Sequence, residues 1–224
     1  MVAVLAIAAP AGATGVCENT EARYDPPELF DDATQSFAIP VSQPWCEVIE
    51  GGSLGETRGT VSFVELRDVH DKVLGILSTA SGQDAVRLKA AVGAFEAVPL
   101  GKLHATLIAR GYAPLVTTGS RCKLATAWTE GDTSGGWRGA TLELDVEHAG
   151  KRVLRTKLGA GSAARRGDQM LRSHVLAKRS AIAVLAIVPS CAGPPPGYFG
   201  ADDPGECYRV DTPVAMLVDA PACF

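Results

Sequence analysis

The sequence predicts an α+β domain: a mainly antiparallel sheet of about six to eight strands, a helical pair inserted at residues 82–110, and disulfides stabilising the whole. Three observations predict it. Short apolar segments bounded by Gly, Pro and Asp recur along most of the 224 residues, which is the pattern of strands joined by turns. Only residues 82–110 carry apolar side chains at helical spacing. Six cysteines, with no CxxC among them, follow an apolar N-terminus, a combination that belongs to an oxidising compartment.

Residues 2–10, VAVLAIAAP, have the length of a signal-peptide apolar region and fall short of the roughly 20 residues that span a bilayer. Ala11-Gly12-Ala13 supplies small residues for cleavage, so residues 1–15 read as a signal peptide, shortened because no positive charge precedes the apolar run. Residues 16–224 then form a single secreted or periplasmic domain. Val16 before Cys17 argues against a lipid anchor.

Residues 17–58 are acidic and punctuated by Gly and Pro, with short extended pieces at 36–41 and 45–49, and read as a covering segment pinned by Cys17 and Cys46. Residues 60–79 read as a hairpin turning at Val69-His70-Asp71, with Val64 and Leu66 on one face with Leu74 and Ile76, and Asp68 facing Lys72. Ser81 is placed as N-cap of a helix over 82–97 striped by Ala85, Leu88, Val92 and Phe95, and Pro99 ends it. A second helix follows with Leu100, Leu103 and Leu107 on one side and Gly111 just past its end.

Strands are expected at 122–128, 140–147, 151–158, 170–176 and 181–188, then at 207–218 with a break at Pro213. Residues 181–188, AIAVLAIV, are apolar on both faces and mark a central strand covered on both sides. In the 141–158 hairpin the even positions are apolar, so opposed residues must sum to an even number. A three-residue loop at His148-Ala149-Gly150 satisfies this, setting Leu144 against Leu154, Glu147 against Lys151 and Glu143 against Arg155. Cys17, Cys46, Cys122, Cys191, Cys207 and Cys223 are all expected to form disulfides. Cys191 and Cys207 bracket a Pro/Gly-rich stretch that cannot hold itself by backbone bonds, so a bridge is expected to clip it.

Few motifs carry chemistry. Gly51-Gly52-Ser53-Leu54-Gly55 matches G-x-S-x-G, but a nucleophile elbow needs a following helix and a strand follows instead. Gly159-Ala160-Gly161-Ser162-Ala163-Ala164 follows a strand like a dinucleotide fingerprint, yet no acid lies where the ribose needs one, so it reads as a flexible linker. His70, His104, His148 and His174 are candidate bases, with Asp145 or Asp168 as orienting acids, and no spacing unites them. His70 and His148 fall in the turns. Asp202, Asp203 and Glu206 lack the regular ligand spacing of a calcium loop. Neither a cofactor nor a metal is expected.

Charge is segregated. Residues 151–179 hold nine basic residues and one acid, while residues 17–50 hold eight acids and one base. The two segments are expected to pack together and neutralise, with Arg165, Arg166, Arg172, Lys178 and Arg179 left as the anion-binding patch. No aromatic residue lies within 151–179, and the overall charge is −4, so nucleic acid is excluded as a partner. The functional expectation is a non-catalytic domain binding a protein or an anionic envelope component. The alternative is a secreted hydrolase whose residues meet only in the folded chain, with His174 or His104 beside a serine or carboxylate.

Overall fold

The structure is a computed structural model and describes residues 21–49, 55–130, 139–162, 170–192 and 208–224. In chain order the first sheet is built from β1 (Arg23–Tyr24), β2 (Leu29–Asp31), β3 (Ser36–Ile49), β4 (Gly55–Asp68), β5 (Val73–Ser78), β6 (Glu96–Ala97) and β7 (Ala113–Pro114). Their order is β6-β5-β4-β3-β2-β7, with β1 also paired to β3. Helices α1 (Gly82–Val92) and α2 (Leu103–Ala109) belong to this part of the chain. Strands β8 (Cys122–Glu130), β9 (Gly139–His148) and β10 (Lys151–Ser162) form a second sheet, and β11 (Met170–Leu176), β12 (Ala181–Ala192) and β13 (Tyr208–Asp219) a third.

Strand β12 is the centre of the stack. Its residues Ile182, Val184, Ala186 and Val188 pack against Leu142, Leu144 and Val146 of the second sheet. The alternate residues Ala183, Leu185 and Ile187 pack against Phe30, Phe37 and Ile39 of the first. None of residues 181–188 is more than 3% exposed, as the two-faced apolar pattern requires. Burying each Val, Leu or Ile here contributes about 1.5–3 kcal/mol.

Several expectations need correction. There are three sheets rather than one, and the largest is mixed, because β6 pairs parallel to β5. The helices are not an inserted pair. Helix α1 is the crossover between those parallel strands and packs through Leu88 with Val61 and Phe63, whereas Leu107 of α2 packs on the opposite face with Val64 and Leu66. Helix α1 stops at Gly93, whose φ of 82° puts it in the left-handed region, so the chain turns well before Pro99. Ser81 occupies the N-cap position without a side-chain bond. Gly111 ends α2 as expected, with φ 100°, but Leu100 is 87% exposed and off the buried face.

Residues 17–58 are no mere covering segment: residues 36–49 form one continuous strand in the middle of the first sheet. Pro40 and Pro44 suggest a break, since proline cannot donate to a ladder. Asp25 N–H donates to Pro40 C=O, so the backbone of these even positions faces away from β4, toward β1 and β2, which are only two and three residues long. The missing donors therefore cost the β3–β4 ladder nothing. Pro213 is harmless for the same reason. Ala215, two residues on, sends its N–H outward from the third sheet to Asp71 Oδ1 at 3.2 Å, so the Pro213 nitrogen also faces outward and β13 runs unbroken.

Register is set by bulges. Asp68 N–H bonds to Lys72 C=O at 3.0 Å, as expected, but the ladder then shifts, so Val64 opposes Leu77 and Leu66 opposes Gly75. Leu74 is left 43% exposed. In the β9–β10 hairpin, Ala149 and Gly150 both have positive φ, making a two-residue turn with His148 opposite Lys151. A bulge at Val153 restores even parity further on, so Leu154 meets Val146, Thr156 meets Leu144 and Asp145 meets Arg155. The expected parity holds there, but the pairing of Leu144 with Leu154 does not. Residues 159–162, read as linker, continue strand β10.

Cys122 is bonded to Cys223, and Cys46 is also disulfide-bonded. Cys17 and Cys207 lie outside the described residues, as do residues 1–15, so the leader and the Cys191–Cys207 clip fall there too. Among the described residues no helix is long and apolar enough to cross a membrane.

Candidate functional site

Two features of the β11 region bear on function: a buried histidine and a groove beside it. His174 is 4% exposed, and its ring stacks on Phe30 of β2 with centroids 4.3 Å apart. Val116 N–H donates to Nδ1 at 2.9 Å, so Nδ1 must be unprotonated and the ring proton sits on Nε2. Nε2 then donates to Asp32 Oδ1, also at 2.9 Å. This is the histidine–carboxylate contact that the hydrolase reading looks for. In a catalytic triad the second nitrogen faces a nucleophile, whereas here a backbone N–H occupies it. His174 therefore has no lone pair free to take a proton from a substrate, and the pair works as a joint between β11, β2 and the 115–117 segment.

The other histidines do not join it. His104 is exposed on α2, and His70 lies in the β4–β5 turn, as expected. His148 ends β9 beside its turn, and its Nδ1 is buried without a bond partner among the described residues. Ser53 lies outside the described residues. Ile49 and Gly55 on either side of it are paired antiparallel partners, so the G-x-S-x-G segment joins two strands and not a strand to a helix. Asp168, Asp202, Asp203 and Glu206 also fall outside the described residues. No cluster of three metal-ligating side chains occurs among those described.

Beside the joint, on the opposite face of β11, a groove of about 240 Å³ opens between β8 and β11. Leu124 and Ile182, both part of the core, form its floor. The hydroxyl residues Thr117, Ser120 and Ser173 line its wall, and Arg172 its rim. No carboxylate is among its described lining residues. Arg172 is exposed and donates to its neighbour's carbonyl, Leu171 C=O, at 3.0 Å.

Three residues of the expected basic patch are described: Arg172 on β11, and Lys178 and Arg179 just after it. Lys178 and Arg179 sit on a 3-10 turn after β11, beyond Leu176, which at strand rise is about 13 Å from Arg172. Arg165 and Arg166 lie outside the described residues. The β10 charges are neutralised locally, as expected: Arg155 reaches Glu143, and Asp145 is an added partner. Arg155 makes a two-point contact with Asp145 at 2.6 and 2.7 Å, and it reaches Glu143 at 3.2 Å. Hydrogen bonds from Arg155 hold the Asp145 carboxyl below the ordinary carboxylate range. Between the basic and acidic segments His174 meets Asp32, whereas Arg155 pairs within its own hairpin.

Asp32, Val116, Thr117 and Ser120 escaped sequence reasoning. Each becomes part of the site only because 115–121 lies along β11, and a Ser or Thr in a loop carries no signal of its own.

The chain matches no protein-family model, no curated protein and no solved structure. Its function has to be argued from its own geometry.

Proposed function

We propose that the protein is a secreted or periplasmic binding domain that engages an acidic group of a partner protein or envelope component through the Arg172 groove. One observation carries this reading. The groove combines an exposed guanidinium with three hydroxyl residues, and no acidic residue is among its described lining residues. The Cys122–Cys223 bridge fits an oxidising compartment. Lys178 and Arg179 lie on a separate turn and are not assigned to this site.

The test is retention on immobilised heparin at low salt, comparing the wild type with Arg172→Glu and with the double variant Lys178→Glu/Arg179→Glu. Retention lost in the first and kept in the second supports the groove. Equal retention of the wild type and Arg172→Glu would overturn it.

A further inference from the structure

Strand β11 is the edge of its sheet, pairing only with β12. Val175 N–H nevertheless donates outward to Val116 C=O at 2.7 Å, so the 115–117 segment already takes one outer backbone group at one end of that edge. Backbone direction alternates along a strand, so Ser173 and Leu171 present their N–H and C=O groups to the same outer side. Gly119, at φ 101°, lies on the path by which the chain leaves β11 for Ser120 and β8. Beyond Val175 the outer edge therefore borders the groove, where the Arg172 guanidinium donates to Leu171 C=O.

Resting on the reading above, we propose that the groove binds the C-terminal residues of a polypeptide. The peptide adds to the outer edge of β11, antiparallel to it and continuing the line of 115–117. Its terminal carboxylate meets Arg172, and its last side chain, an apolar one, lies on Leu124 and Ile182. The outward N–H groups of Leu171 and Ser173, two residues that line the groove, distinguish a peptide from a free fatty acid or a sulfated sugar, because only a peptide offers a ladder of matching carbonyls and amides. Arg172 gives up its bond to Leu171 C=O, and the incoming backbone replaces it. The guanidinium is thereby freed for two parallel bonds to the carboxylate.

The experiment uses full-length oxidised protein, immobilised and exposed to two pools of hexapeptides randomised at their last three positions. One pool carries free C-terminal acids and the other C-terminal amides, and bound peptides are identified by mass spectrometry. The expected result is enrichment of peptides with apolar last residues from the acid pool, at least roughly tenfold over the amide pool. Arg172→Gln is expected to abolish the acid preference. Ser173→Pro removes an outward N–H without touching the β12 ladder, and is expected to abolish peptide capture while keeping the wild-type circular-dichroism spectrum. Equal capture from both pools, or capture from neither, would overturn the proposal. If heparin retention still depends on Arg172 in that case, the anionic-partner reading survives. If that dependence is lost as well, both fall.

Discussion

His174 and Asp32 lie 142 residues apart in the chain and share a hydrogen bond 2.9 Å long. The bond fastens the third sheet to the turn after β2, with the Phe30 ring stacked beneath the imidazole. His174 is buried, while the Asp32 side chain is 75% exposed, so the two ends of this contact have very different energetic weight.

Replacing His174 by Ala leaves the Val116 N–H without its acceptor and removes the stacked ring, at an expected cost of about 2–4 kcal/mol. Asp32→Asn keeps an acceptor in a solvated position and should cost less than about 1 kcal/mol. Urea unfolding of the two variants measures both. Equal destabilisation would show that the carboxylate charge, and not the buried ring, holds the joint.

Gly59 lies opposite Trp45 in the β3–β4 ladder, and a Cβ at Gly59 would come within 2.4 Å of the indole. The indole is in turn covered by the Arg87 guanidinium, 3.7 Å above the ring, which Glu47 holds through a bond at 2.8 Å. Glycine inside a strand ordinarily weakens it, so Gly→Ala should stabilise. Here the sign is expected to reverse: Gly59→Ala destabilises by about 1–3 kcal/mol through overpacking and shifts the tryptophan emission. Arg87→Ala should also destabilise, through loss of the cation–π contact and of the bond to Glu47, and by less than Gly59→Ala.

The Cys122–Cys223 bridge spans 101 residues of sequence and ties the C-terminal turn to the start of β8, where Arg121 N–H also donates to Cys223 C=O. The double variant Cys122→Ser/Cys223→Ser is expected to lose about 2–5 kcal/mol, near the upper end on the chain-entropy account of so long a loop. Thermal unfolding with and without reductant checks it. A melting temperature unchanged by the double substitution would contradict the assignment.

The Asp145 carboxyl is held below its ordinary value by Arg155. A carboxyl depressed in the folded state contributes stability that is present above its unfolded value, and this stability is lost as the pH falls through the folded value. Asp145→Asn should therefore be less stable than the wild type at neutral pH, and the two should converge as the solution is acidified below the usual carboxylate range. Stability curves measured from pH 7 to pH 2 give the comparison, and a constant gap across that range would rule out this linkage.

The sequence by itself determined where the principal strands after Ser120 run and that residues 181–188 are buried on both faces. It also determined that a chain reversal follows α2 at Gly111. Each of these depends on a residue's own preference for water, apolar contact or positive φ, so periodicity and turn chemistry read it directly. Only the tertiary structure decided the registers, because the bulges at Leu74 and Val153 adjust a ladder after its neighbours have set which faces are buried. The continuity of β3 through Pro40 and Pro44 likewise depends on which side each missing N–H faces, a property of strand order that no local pattern carries. The capture of both His174 nitrogens arises from contacts between segments far apart in the chain, Val116 and His174 being separated by 58 residues and Asp32 and His174 by 142. Such contacts exist only once loop-closure entropy has been overcome and the layers have packed, so the candidate site had to be found in the folded chain.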